Sequence, residues 1–168
     1  TIGLPSIEAP ELSIEPTPER LARGEYLANN VMGCLDCHAQ RDFSKFTGPT
    51  LPETKGAGGE KWTREAGFPG NLVAPNITPH ALKNWTDGEI FRAITAGVRK
   101  DGTPLFPIMP YHQYGQLEKE DIYAVIAYIR TLAPVAATTP ERELDFPLNI
   151  IVHTMPKEGS HTLKPDKS

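Results

Sequence analysis

Cys34, Cys37 and His38 stand together in GCLDCHAQ (33–40), and the two cysteines are the only ones in the chain. Two thiols and an imidazole at this spacing suit a redox dithiol, part of a zinc site, a small disulfide loop, or the covalent anchor of a haem. A redox dithiol wants its first cysteine just after a strand and at a helix N-terminus, where the thiolate is stabilised. Here the cysteines follow a helical pattern, and no βαβ unit surrounds them. Zinc wants four ligands, and adjacent Cys37 and His38 cannot both point at one tetrahedral ion without strain. His80, His112, His153 and His161 have no metal-ligand spacing. A disulfide would close a short loop, contribute little stability and leave His38 without a role. The haem reading uses all three residues: in C-x-x-C-H each thiol adds to a vinyl group, and the histidine that follows is placed under the iron.

An iron held by His38 has one axial position left. An open position suits small-molecule binding or catalysis, while a second strong ligand suits electron transfer. Met32 is too close to the anchor to reach the opposite face, and Met155 lies beyond the last clear helix. Met109, in FPIMPYHQY, is held between Pro107 and Pro110. Those prolines restrict the backbone and can aim a thioether at small entropic cost. An isolated methionine is ordinarily a gap filler in the core; beside a haem and between two prolines, Met109 reads as the sixth ligand. His112 is the runner-up, with a solvated loop histidine as its plainer reading.

The elements that must hold these groups are mainly helices joined by loops. Thr17 is a good N-cap with Pro18 at the first helical position, and Leu21, Gly24, Leu27, Ala28 and Val31 share one face of a helix over 17–31. Gly24 on that face implies close approach of another element. Thr86 and Glu89 form a capping box before a stripe of Ile90, Phe91, Ile94 and Val98. A third helix over 118–132 buries Ile122, Val125, Ile126 and Ile129. Residues 40–84 read mostly as loop, and so long a loop in a compact domain usually wraps something. A large flat cofactor would explain it. Residues 1–16 read as an extended tether held weakly if at all, 17–134 as the domain, and 135–168 as an extension packed on the surface with a frayed end.

Bulk composition narrows the class. The 168 residues are 39% apolar and 23% charged, with 17 prolines, 14 glycines and a formal charge of −4. That balance gives no basic face for nucleic acid. No apolar run reaches 18 residues and no signal-like segment opens the chain. A chain that begins at Thr1 is expected to follow a cleaved signal or a membrane anchor.

Taken together, TPERLARGEYLANNVMGCLDCH, FTGPTLPETKGAGGEKW, GFPGNLVAPNITPHALKNWTDGEIFRAITAGV, DGTPLFPIMPYHQYGQLEKEDIYAVIAYIRTL and DFPLNIIVHTMP resemble the class I c-type cytochromes. The likeness is to bacterial membrane-associated monohaem cytochromes and to the cytochrome domains of alcohol and sugar dehydrogenases. It implies an all-α, small cytochrome c fold of three to five helices with long loops wrapped around one haem c. Cys34 and Cys37 would hold the haem, with His38 and Met109 as axial metal ligands. Pro49 looks like the proline whose neighbouring carbonyl receives the His38 N–H. Asn76, Ile77 and Trp85 look like haem-edge residues, with Asn76 and the Trp85 indole as propionate donors; a core aromatic is an equal reading of Trp85. The helices over 17–31 and 118–132 would cross at Gly24 with Tyr128 nearby. The resemblance implies no enzyme but a one-electron carrier between redox protein partners in a bacterial periplasmic respiratory chain, on the outer face of the membrane. Alternatives are the electron-accepting cytochrome subunit or domain of an alcohol or sugar dehydrogenase, and a haem sensor or enzyme with a displaceable sixth ligand. Dehydrogenase subunits often string several CxxCH motifs together, and this chain has one.

Overall fold

The computed structural model describes residues 6–163. The first five residues of the expected tether and the last five of the expected frayed end lie outside the described residues.

Helix α1 (Pro18–Tyr26) begins where the cap predicts, with the Thr17 side chain accepting from the Arg20 N–H at 3.2 Å. It then widens into a π-helical turn, Leu27–Val31, closed by Met32 N–H donating to the Leu27 carbonyl at 2.8 Å. The Asn29 and Asn30 amides donate back to the Glu25 and Tyr26 carbonyls at 2.8 and 3.1 Å. A wider turn rotates every residue after it relative to an α-helix. Val31, expected on the buried face, is therefore 56% exposed, and Met32 takes the core position at 7%. Gly33, in the left-handed region at φ 64°, ends the turn and starts α2 (Cys34–Cys37).

The middle of the chain is turns, as expected, but it is not devoid of strands. β1 (Lys61–Trp62) and β2 (Gly70–Val73) pair antiparallel, and β3 (Glu143–Leu144) from the C-terminal extension joins the other edge of β2. The fold class read from the sequence is all-α; the structure adds this three-stranded sheet in the order β1-β2-β3. Strands of two to four residues are too short to show an alternating pattern. A one-turn helix, α3 (Pro79–Leu82), precedes α4 (Asp87–Ala96), where Thr86 and Glu89 form the expected capping box at 2.9 and 3.1 Å. Then come α5 (Tyr111–Tyr114), α6 (Lys119–Ile129) and α7 (Leu148–Ile151).

The core lies between α1, α4 and α6. Ile122, Val125 and Ile126 are fully buried, and Leu27, Ile90, Phe91, Ile94 and Ile129 close around them. Helices α1 and α6 cross at Gly24, where an added Cβ would lie 1.9 Å from the Ala124 carbonyl oxygen and 2.9 Å from Tyr128 Cβ. Ion pairs Arg20–Glu120 and Arg23–Asp121, both 2.9 Å, border the crossing.

The tether is extended, and its described part is firmly docked. Ile14 N–H donates to Asp87 at 2.9 Å, Arg92 donates to the Ile7 carbonyl at 3.0 Å, and Leu12 and Ile14 pack on the core. The C-terminal extension is stitched down along its length: Asp145 N–H donates to the Pro69 carbonyl, Lys157 N–H to Ala96 and His161 N–H to Gly115. No helix of the described residues is long and apolar enough to cross a membrane.

Close approach at Gly24 is worth far more than the ion pairs around it. Gly24→Ala should cost about 2–4 kcal/mol, since backbone must move to admit the methyl. Arg20→Ala should cost less than about 1 kcal/mol, as expected of an exposed pair. Urea denaturation of the two variants checks the order.

Candidate functional site

Helix α2 places Cys34 and Cys37 one turn apart, and both are free thiols. Burial pushes the Cys34 thiol up to about 12, and burial also raises Cys37, helped by the nearby Glu60 and Asp36 carboxylates. A dithiol that works as a nucleophile needs its thiolate stabilised; this environment does the reverse. Among the described residues no three His, Cys, Asp or Glu side chains come together as a metal-ion site. The surroundings of the thiols therefore do not favour the redox-dithiol reading.

His38 caps α2 and is 9% exposed. Its Nδ1 lies 2.7 Å from the Pro75 carbonyl oxygen. A carbonyl can only accept, so Nδ1 carries the proton and Nε2 keeps its lone pair. Burial lowers the imidazole pKa against the opposing pull of the Pro75 carbonyl, which keeps the ring neutral. A neutral imidazole with Nδ1 pinned and Nε2 free is the form that binds a metal.

The backbone acceptor is not the one expected beside Pro49. Pro49 is exposed, and its carbonyl accepts from the Asp42 N–H at 2.9 Å within the 41–50 loop. Pro75 reaches His38 through a layered set of backbone bonds. Gly58 N–H donates to the His38 carbonyl at 3.1 Å, and Gly59 N–H donates to the Ala74 carbonyl at 3.1 Å. Any Cβ on Gly58, which has φ +80°, would lie 2.3 Å from the Ala74 carbonyl oxygen. Only glycine lets the 74–75 segment come this close to His38.

Asn76 also differs from expectation. It is 5% exposed, and its amide donates to the Val135 and Ala137 carbonyls at 2.7 and 3.0 Å. Its Oδ1 accepts from the Thr78 N–H and hydroxyl at 2.9 and 2.8 Å. Both amide protons are thus committed to the protein, so the expected propionate-donor role is not open to it. Ile77 is half-buried on the core, its N–H on the Gly56 carbonyl at 2.7 Å. Trp85 is half-buried on the same core. Arg130 holds the Trp85 carbonyl at 2.7 Å, and the indole N–H makes no hydrogen bond among the described residues. That donor remains free for a ligand.

Met109 is half-buried, and it packs on the same core cluster as Cys34, Ile77 and Trp85. Its carbonyl accepts from the Tyr111 N–H at 2.7 Å. His112, the alternative ligand, is tied by Nε2 to the Met155 carbonyl at 2.8 Å. Tyr114, missed in the sequence, joins the two halves of the site: from α5 its hydroxyl donates to the Met32 carbonyl at 2.5 Å, two residues before Cys34. Nothing local in YHQY signals a partner 82 residues away. Two unpaired thiols one turn apart, a neutral imidazole with a free Nε2 and a thioether on the same core form a donor set that fits a covalently held haem.

No protein-family model matches the chain. Over 145 residues it is 35% identical to the fructose dehydrogenase cytochrome subunit of Gluconobacter japonicus, covering 81% of this chain and 27% of that protein. It is 28% identical over 155 residues to the cytochrome c subunit of the quinone alcohol dehydrogenase of Gluconobacter oxydans, covering 89% and 29%. Over 132 residues it is 30% identical to the gluconate 2-dehydrogenase cytochrome c subunit of Pantoea cypripedii, covering 76% and 27%. The chain thus spans less than a third of the length of these relatives. A match over 89% of the chain leaves too few residues at either end to miss Cys34, Cys37, His38 or Met109.

The raised thiols give a chemical signature. In the folded, cofactor-free chain, iodoacetamide labelling at pH 7.5 should be slow at both cysteines and slowest at Cys34. It should accelerate continuously as pH rises, because burial moves ionisation upward. The urea-unfolded chain should react at the rate of ordinary thiols, and mass spectrometry of timed samples separates the two sites.

Proposed function

We propose that this chain, a c-type cytochrome similar to the cytochrome subunits of bacterial dehydrogenases, is the electron-accepting haem domain of such a dehydrogenase complex. The observation that carries the proposal is the likeness to two dehydrogenase cytochrome subunits, those of fructose and quinone alcohol dehydrogenases, over alignments long enough to include the whole Cys34-to-Met109 region. The haem, its covalent attachment and the small cytochrome c fold around it are parts of the same reading. So is a place on the outer, periplasmic side of the membrane.

Bound there, haem c supplies an iron that gains and loses one electron. Cys34 and Cys37 would each add a thiol S–H across a vinyl group, forming two thioethers and leaving no free thiol. His38 would hold the iron through its Nε2 lone pair, while Nδ1 keeps its proton and donates it in the hydrogen bond to the Pro75 carbonyl. Met109 would hold it through its thioether sulfur. Neither ligand has to gain or lose a proton when the charge at the site changes, so the protein around it can stay in place. Trp85 offers its indole N–H at the edge, and Ile77 adds apolar wall. The chain acts as an electron relay with a catalytic subunit as its donor, and it performs no substrate chemistry of its own.

A free periplasmic electron carrier is the second reading, since the one CxxCH within these 168 residues is all that such a carrier needs. Affinity purification from the producing bacterium separates the two. In the proposed role the chain copurifies with a dehydrogenase catalytic subunit, and that subunit's substrate reduces the haem. A chain that purifies alone and is untouched by any such substrate would leave the free carrier.

Ligation by Met109 has its own test. Methionine opposite histidine raises the reduction potential relative to two histidines. Met109→Ala should abolish the methionine-to-iron charge-transfer band of the ferric protein, and Met109→His should lower the potential. An unchanged spectrum in Met109→Ala would assign the ligand to another residue.

A further inference from the structure

The carbonyl that accepts the hydrogen bond from His38 Nδ1 belongs to a residue with no side-chain hydrogen bonds of its own. Pro75 cannot anchor itself, since proline has no N–H and no polar side chain. Its position is set by the residue after it. Asn76 donates its backbone N–H to the Thr139 hydroxyl at 2.9 Å, and both amide protons go to the Val135 and Ala137 carbonyls. Its Oδ1 receives Thr78 twice, and the Thr78 hydroxyl accepts in turn from the Val135 N–H at 3.2 Å. Thr78 is fully buried. Residues 135–139 thus form a strap, and Asn76 is the knot that ties the 74–78 loop to it. On its other side the same loop is held by the 56–60 turn, through Ile77 N–H to Gly56 and Gly59 N–H to Ala74.

We propose that Asn76 is a positioning residue for His38: by locking the Pro75 carbonyl against Nδ1, it sets how strongly the imidazole is polarised and hence how much electron density Nε2 donates. The inference rests on the reading of His38 as an axial ligand and adds to it. The physical link is the outer hydrogen bond of a ligating histidine, which fixes the ring and raises its basicity. A tighter Nδ1–H···O bond gives the ring more imidazolate character and stabilises the oxidised metal. Loosening that bond favours the reduced state, so the potential rises. On this view the C-terminal extension belongs to the redox site, although it contributes no ligand.

The test is made on the haem-bearing protein with Asn76→Ala, Thr139→Val and, as a destabilised control remote from His38, Gly24→Ala. Two quantities are read: solvent exchange of the His38 Nδ1 proton by NMR of the ferrous protein, and the reduction potential. Asn76→Ala should speed exchange at least tenfold and move the potential upward. Thr139→Val should move both in the same direction by less. Gly24→Ala should lower stability and move neither. If Asn76→Ala does not fold, Thr139→Val carries the test, because it removes the acceptor of the Asn76 N–H and leaves the knot's side chain intact. Variants that lose stability like Gly24→Ala but keep the wild-type exchange and potential would reduce Asn76 to a structural residue and overturn the inference. A wild-type protein whose spectrum shows no histidine on the iron would overturn the ligand reading itself, whatever the variants did.

Discussion

One hydrogen bond, from His38 Nδ1 to the Pro75 carbonyl at 2.7 Å, joins residues 37 apart in the chain, and much of the architecture exists to make it possible. A histidine carried on a four-residue helix has little local support. The π-helical turn and Gly33 deliver α2 to the core with Leu35 buried beneath it. The 58–60 turn then lies between the 37–38 and 74–75 segments, bonded to both. The glycine at 58 sets that spacing, since a side chain would push the carbonyl layer away from the imidazole.

Stability and positioning are supplied by different parts of the molecule. The buried apolar residues of the Leu27–Val31 turn, α4 and α6 supply the hydrophobic term, at about 1.5–3 kcal/mol per fully buried large side chain. The polar contacts around Pro75, Asn76 and Thr78 add only about 1 kcal/mol each in net terms. Their larger effect is geometric. A buried amide left without its partners would cost more than its bonds contribute, so the arrangement is held by the penalty for leaving it. Arg130 does similar work at the end of α6, donating to the Leu82 and Trp85 carbonyls and pairing with Asp87. It thereby fixes the turn that carries Trp85.

What could be read from the sequence was what local chemistry decides. The Thr17 cap, the Thr86–Glu89 box, the stripes of α4 and α6, and the close approach at Gly24 each follow from side chains within a turn or two of each other. The proposed haem anchor at Cys34, Cys37 and His38 is likewise read from their local spacing. Val31 was misplaced because a single added residue in a helical turn leaves no compositional trace. The sheet was invisible because two of its strands are only two residues long and one of those, β3, comes from beyond residue 140. Pro49 looked right by its place after the histidine, but Pro75 wins through backbone bonds set by two other segments. Asn76 was legible as a polar residue near the site, and its role was not, because its partners lie 59 to 63 residues away.

The C-terminal extension shows where a boundary drawn from periodicity parts from one drawn from contacts. Hydrophobic pattern ends near residue 134, so a division there follows the helices. The polar network crosses it: Val135, Ala137 and Thr139 hold Asn76, and Glu143–Leu144 complete the sheet on β2. Farther along, His161 stacks on Phe91 at 5.3 Å between ring centres, and Met155 takes the His112 imidazole. That last contact bears on the proposed ligation by Met109, since a histidine already bound to the extension competes poorly with an unbonded thioether three residues before it. The extension thus constrains the site from both sides, through Asn76 behind His38 and through His112 beside Met109, without contributing a donor atom of its own.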